Sequence, residues 1–85
     1  MSIIYDYPLY NNGFLPIKLQ YIAAAITQIV CDADEFVFNI VLTEGHTIRI
    51  SRSMETPIPN NKAEFAEQRT RLITAWKEHE NLANK

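Results

Sequence analysis

The chain has 85 residues, a formal net charge of −2 at pH 7, and a composition that is 47% hydrophobic and 11% aromatic. This composition is typical of one folded domain rather than of a disordered segment. The slight acidity disfavours a protein that binds nucleic acid non-specifically, because such proteins usually present a basic face. No stretch approaches the roughly 18 apolar residues of a membrane-spanning helix, so we expect no membrane partner.

Cys31 is the single cysteine, so no disulfide can form within the chain. A chain without disulfides is typical of a reducing compartment. The first residues contain no basic segment followed by an apolar run. We therefore expect no signal peptide and a cytoplasmic location.

The first 15 residues form an aromatic segment, which we call the N-terminal arm (residues 1–15). It carries Tyr5, Tyr7 and Tyr10, and it is interrupted by Pro8 and by an Asn-Asn-Gly turn signal at residues 11–13. Residues 2–7 are compatible with an edge strand, because proline is tolerated at sheet edges. The tyrosines either cover the open edge of the core or form a surface that binds a partner.

Residues 16–31 fit two interpretations. Leu19, Ile22 and Ile26 fall on one helical face, with Pro16 in the first turn. The β-branched run at residues 26–31 favours a strand instead. We predict a strand over residues 25–31, leave residues 17–24 open between a short helix and an extended lead-in, and expect the acidic residues 32–35 to form a turn.

Residues 36–51 predict a β-hairpin, and the apolar pattern selects its loop. A two-residue loop at Glu44 and Gly45 would place Ile40 opposite Arg49, whereas a three-residue loop at residues 43–45 places Ile40 opposite Ile48. Because a shift of one residue moves every side chain to the other face, agreement of the apolar faces selects the longer loop. Gly45 is then expected to have a positive φ.

A linker and a helix complete the chain. Pro57 and Pro59 interrupt regular structure in residues 53–60. Asn61 and Glu64 resemble a capping box at the start of a helix that should run from about residue 62 to about residue 79. Its apolar stripe contains Phe65, Leu72, Ile73 and Trp76. Arg69 falls inside this stripe, where it either extends its charged head past the sheet edge or pairs with a carboxylate.

These elements predict an α+β fold. We expect a single domain over residues 1–85, in which a small antiparallel β-meander of three to four strands (residues 16–52) is packed by one long C-terminal α-helix (residues 61–80).

No residue pattern indicates chemistry. The acidic residues Asp32, Asp34 and Glu35 lack the downstream glycine and glutamate of a calcium loop. Cys31 and the histidines His46 and His79 have no metal-ligand spacing. We therefore predict no catalytic residue, no metal site and no cofactor.

The prediction that remains is a small non-enzymatic protein–protein interaction module, such as an accessory or inhibitor protein, that binds a protein partner or a second copy of itself. Tyrosine is enriched in interfaces because it combines a large contact area with a polar tip. The expected contact residues lie on the arm and on the outer face of the hairpin: Tyr5, Tyr7, Tyr10, Val37, Val41 and Arg49.

The alternative function is a nucleic-acid-binding or transcription-associated module. It would use a local basic patch of Arg49, Arg52, Lys62 and Arg69. Binding by a sheet usually also needs exposed aromatic side chains for base stacking. The strand aromatics Phe36 and Phe38 are assigned to the dry face of the hairpin, which favours the protein-binding function.

Overall fold

The computed structural model describes residues 4–10 and 13–83 of the chain. Strands β1 (Ile4–Pro8) and β2 (Phe14–Lys18) form a two-stranded antiparallel sheet. A 3₁₀ turn (Leu19–Tyr21) leads into a four-stranded antiparallel sheet of β3 (Ile22–Ile26), β4 (Val30–Asp32), β5 (Glu35–Leu42) and β6 (Thr47–Ser53). The long helix α1 (Asn61–Ala83) follows. The predicted α+β class is confirmed.

The number of strands is higher than predicted. The described residues hold six strands, because the N-terminal arm contributes a strand to a hairpin of its own and the predicted strand at residues 25–31 is split in two. Residues 17–24 contain the end of β2, a 3₁₀ turn and most of β3, so they are largely extended. Residues 2–3 of the predicted edge strand and residues 11–12 of the predicted turn lie outside the described residues.

The hairpin of β5 and β6 has the predicted register. Ile40 lies opposite Ile48, and Phe38 lies opposite Ile50. Gly45 has a φ of 84°, as expected, and Glu44 before it also has a positive φ of 72°. The apolar faces of the two strands therefore agree, which is the physical reason for the three-residue loop.

A break at residues 27–29 separates β3 from β4, so the prediction of one continuous strand is wrong. The Thr27 backbone N–H donates to the Asn39 carbonyl (2.9 Å), while the Thr27 hydroxyl accepts from the Asn39 N–H (2.8 Å). The Thr27 carbonyl accepts from Nε of Arg69 (2.8 Å). Side chains therefore supply hydrogen bonds where the regular ladder is interrupted.

Arg69 follows neither of its predicted alternatives. Its guanidinium lies 6.0 Å from the ring centre of Phe38, in the range of a cation–π contact, and its Nε serves the backbone of the break. The Thr27 backbone carbonyl, rather than a carboxylate, is the hydrogen-bond partner of this guanidinium among the described residues.

Helix α1 begins one residue before the predicted start and extends to Ala83, beyond the predicted end near His79. The predicted capping box is wrong. The Glu64 backbone N–H donates to the Asn60 carbonyl (2.9 Å), and the Asn61 side-chain amide donates to the Ser53 carbonyl (3.0 Å). Asn61 thus ties the helix to the end of β6.

The core lies between the inner face of the four-stranded sheet, the helix and the β1–β2 hairpin. Phe38 is at its centre, with ring-centre distances of 6.1 Å to Tyr7 and 5.5 Å to Phe65. Trp76 packs against this core but is only partly buried. The fully or nearly fully buried apolar residues of the core are Tyr7, Ile17, Leu19, Ile22, Phe36, Phe38, Ile40, Ile50, Phe65 and Leu72. Burying each of these large side chains stabilises the fold by about 1.5–3 kcal/mol.

We predict that Gly45→Val lowers the free energy of unfolding by about 1–3 kcal/mol, because a β-branched residue is strained at positive φ. A Cβ at this position would meet no atom within 4 Å, so the loss would come from the backbone alone. Gly45→Asn is the matched control, since asparagine tolerates the left-handed region better. Chemical denaturation measures both variants, and equal stability of Gly45→Val and the parent protein would contradict the assigned loop.

Candidate interaction site

The structure divides the arm tyrosines between core and surface. Residues of β1 and β2 alternate, so that Tyr5 and Tyr7 point to the core with Leu15 and Ile17 of the paired strand. Tyr7 is only 1% exposed, so the structure places this predicted contact residue in the core rather than on the open surface. Tyr5 is partly buried against the core, whereas Tyr10 is 52% exposed.

Two prolines of the β1–β2 hairpin occupy positions that need no backbone donor. The Leu9 N–H donates to the Gly13 carbonyl (2.9 Å). Hydrogen-bonded and non-hydrogen-bonded pairs alternate in an antiparallel ladder. Pro8 and Pro16 consequently fall at non-hydrogen-bonded positions, where the missing N–H would have pointed away from the partner strand. This placement explains how a strand can contain proline at each of these sites.

The same alternation identifies the free peptide groups of β6. The Leu42 N–H donates to the His46 carbonyl (2.8 Å) and the Met54 N–H donates to the Asp34 carbonyl (2.7 Å). Because hydrogen-bonded pairs alternate along the ladder, the even-numbered residues of β6 are the ones whose peptide groups form hydrogen bonds with β5. The odd-numbered residues direct their N–H and C=O groups away from β5. No described strand pairs with that side of β6.

A groove lies beside this edge of β6. Residues 7–10 of the β1–β2 hairpin line one side and residues 50–53 of β6 line the other, with Thr56 and Phe65 completing the lining. Its volume is about 320 Å³, at the lower end of the roughly 300–1,000 Å³ of known ligand sites. The groove therefore joins a strand edge with free hydrogen-bonding groups to an apolar wall.

Tyr7 lines this groove and has a buried hydroxyl group. Among the described residues, its hydroxyl oxygen is buried without a hydrogen-bond partner. Burial raises the pKa of Tyr7 from 10.0 to about 12; the positive charge of Arg52 opposes this shift and Tyr5 adds to it. The hydroxyl therefore remains protonated near neutral pH and is available as a donor.

Arg52 is 6% exposed and lies on the inner face of β6, in contact with the start of α1. It donates to Oε1 of Gln68 (2.9 Å), forms an ion pair with Glu64 (3.4 Å) and lies 5.5 Å from the ring centre of Phe65. Gln68 also donates to Glu64 (3.3 Å). This closed network satisfies the charge of Arg52 inside the protein.

The structure does not bring the predicted basic patch together. Arg52 is buried on the inner face, Arg69 is bonded to the backbone of the strand break, and Arg49 lies on the outer face of the sheet. Of the four, only Lys62 is exposed without an ion pair among the described residues. The four residues that the alternative function would use are therefore dispersed over different parts of the structure.

The outer face of the sheet also differs from its prediction. Arg49 of β6 pairs with Glu35 at the start of β5 (3.7 Å) and with Asp32 of β4 (3.6 Å). Its side chain therefore extends across the Val37–Ser51 pair, which lies between Arg49 and Glu35 in the ladder. Val37 is only 4% exposed and Val41 is partly buried, which leaves little apolar area on this face. Exposed ion pairs of this kind contribute about 1 kcal/mol or less.

Sequence reasoning missed Leu9 and Phe14, which are 38% and 65% exposed near the end of the β1–β2 hairpin. The signal was present in the sequence. Two alternating runs flank the Asn-Asn-Gly turn, and this pattern is typical of a hairpin. In that hairpin Phe14 has the same orientation as the outward-facing Pro8 and Pro16.

Within residues 4–10 and 13–83, no group of three or more His, Cys, Asp or Glu side chains is placed to hold a metal ion. In the same residues, no helix combines the length and apolar character needed to cross a membrane. Cys31 is exposed on β4.

We predict that the free energy of unfolding falls as the pH rises from 10 to 12, because the unfolded chain then loses a proton that folded Tyr7 retains. Below pH 10 the folded and the unfolded chain both keep this proton, so the contribution of Tyr7 to the free energy of unfolding is constant there. The loss should reach roughly 2–3 kcal/mol. Denaturation at a series of pH values measures it, with Tyr7→Phe as the control. Identical pH profiles for the two proteins would contradict the raised pKa.

No family model, curated protein or solved structure gives a significant match to this chain. A fold by itself does not determine function, because one architecture can serve unrelated functions. The function is therefore inferred from the β6 edge, the groove and the exposed residues of the hairpin.

Proposed function

We propose that the chain is a small non-enzymatic module that binds another protein or a second copy of itself, as an accessory or inhibitor protein does. The single observation that supports this function most is the exposure of Leu9, Tyr10 and Phe14 near one end of the β1–β2 hairpin, which we call the hairpin end. Exposed apolar residues grouped in this way are typical of interaction surfaces.

The geometry of the hairpin keeps these side chains available. Phe14 lies opposite Pro8 at the last pair of the ladder, on the side of the hairpin that faces away from the core. Tyr10 follows in the turn. Tyrosine and other large aromatic side chains contribute strongly to binding when a partner covers them. The hairpin end therefore offers apolar area that folding leaves uncovered.

The strands that carry the hairpin end are anchored in the core. Tyr7 and Ile17, both about 1% exposed, anchor β1 and β2 in the core next to Phe38. A surface on anchored strands loses little conformational entropy when it binds, which favours affinity. The arm thus has both of the roles that the sequence left open, since its inner side chains belong to the core and its outer ones form the proposed contact.

We predict that the double variant Tyr10→Ser/Phe14→Ser stays folded and loses association. Its free energy of unfolding should change by less than about 1 kcal/mol, because both side chains are exposed. Its affinity for a partner should fall by at least about tenfold. Thermal unfolding measures the first quantity. Light scattering for self-association and quantitative capture from the native host measure the second.

The matched control is Tyr21→Ser/Val30→Ser, which removes an exposed aromatic and an exposed aliphatic side chain elsewhere on the molecule. This control should retain the association of the parent protein. If the Tyr10→Ser/Phe14→Ser variant keeps every partner and the same mass, the hairpin end is not the contact surface and the proposal fails.

A further inference from the structure

We propose that the free edge of β6 binds an extended segment of a partner protein, which adds to the four-stranded sheet as a further strand and lies in the groove. This inference rests on the proposed protein-binding function and specifies how the partner is held. The groove adjoins the hairpin end through Leu9 and Tyr10, so one partner can contact both.

The backbone of β6 supplies the first argument. Thr47, Arg49 and Ser51 direct their peptide groups away from β5, and no hydrogen bond within the described residues occupies these groups. They recur at every second residue, which is a repeat of roughly 6.5–7 Å along the strand. An extended peptide presents complementary groups at the same repeat, whereas the interior peptide groups of a helix are already paired with each other.

The hydroxyl of Tyr7 supplies a second and independent argument. Tyr7 lines the groove, is 1% exposed, and has a hydroxyl without a hydrogen-bond partner in the described protein. Nearly all buried polar groups in folded proteins have such a partner, so an exception requires a physical reason. A strand in the groove would bring carbonyl oxygens along the wall that contains Tyr7. Because the hydroxyl oxygen is itself buried in the free protein, one of these carbonyls can accept from it only when the side chains that cover it shift on binding.

The shape and charge of the groove define the occupant. Residues 8–10 of the hairpin line the groove together with residues 50–53 of β6, so a segment bound there contacts both elements. Arg52 is the charged residue in the lining, and Glu64 already balances its charge. The bound segment therefore needs no acidic group. It needs an apolar side chain at alternate residues to face Leu9 and Tyr10.

Other edges of the molecule are poorer sites for a strand. The opposite edge of the four-stranded sheet consists of β3 and β4, and the break at residues 27–29 interrupts it. The outer edges of β1 and β2 contain Pro8 and Pro16, each of which lacks a donor at an outward position. β6 instead offers a continuous free edge from Thr47 to Ser51, beyond which the Ser53 carbonyl already accepts from Asn61.

The test uses the full chain and short random-sequence peptides selected for binding to it from a display library. Amide hydrogen exchange, followed by NMR, reports the state of the Ser51 N–H. We expect a selected peptide to bind in an extended conformation, with cross-strand NOEs to Arg49 and Ser51, and to slow exchange of the Ser51 amide by at least about tenfold.

Two variants separate this mode from simple apolar contact. Ser51→Pro removes one outward N–H without touching the ladder with β5, and it should weaken peptide binding by roughly tenfold. Ser51→Ala keeps that N–H and should bind as the parent does. Tyr7→Phe removes a hydroxyl that has no partner among the described residues, so it should retain or raise the melting temperature while weakening peptide binding several-fold.

Two results would overturn strand addition: a library that yields no peptide protecting the Ser51 amide, or peptides that bind Tyr7→Phe and a folded Ser51→Pro as tightly as the parent. If Ser51→Pro does not fold, Tyr7→Phe decides alone. If Ser51→Pro and Tyr7→Phe keep a partner that Tyr10→Ser/Phe14→Ser loses, strand addition is wrong and the proposed interaction function stands. If all variants bind as the parent does, both proposals fail.

Discussion

The buried guanidinium of Arg52 is the constraint on which the rest of the structure depends. A charge on the inner face of β6 costs several kcal/mol unless partners compensate for its lost hydration. Glu64 and Gln68 in the first turns of α1 provide this compensation, so the helix must begin beside the end of β6. That position places Phe65 against Phe38 at the centre of the core. The start of α1 also completes one side of the groove, through Phe65.

The parts of the fold that could be predicted are those governed by local pattern. The hairpin of β5 and β6 was predictable to the residue, because the apolar alternation of its strands is satisfied by one register. The break between β3 and β4 was not. Arg69 donates a hydrogen bond to the Thr27 carbonyl, although the two residues are far apart in the sequence. The periodicity of the sequence does not predict such a contact. The β-branched run around them therefore predicted a longer strand than the molecule forms.

The candidate site shows the same division. Its exposed aromatic character could be recognised, since Tyr10 lies in a segment rich in turn residues. The burial of Tyr7 could not be, because it depends on Phe38 and on the helix, which are distant along the chain. The four predicted basic residues failed to form a patch for a related reason. Composition indicates how many charges a chain carries, but tertiary contacts determine which charged side chains are paired within the protein and which are exposed on its surface.

The two prolines of the β1–β2 hairpin have a consequence for assembly. Fibre growth through strand pairing needs two competent edges on every subunit, one to receive a neighbour and one to be received. Pro8 and Pro16 weaken the hairpin edges, and the interruption between β3 and β4 weakens the edge opposite β6. When each chain has a single competent edge, assembly stops after one pairing event. Strand pairing in this protein would therefore produce a closed complex of defined size rather than a growing filament.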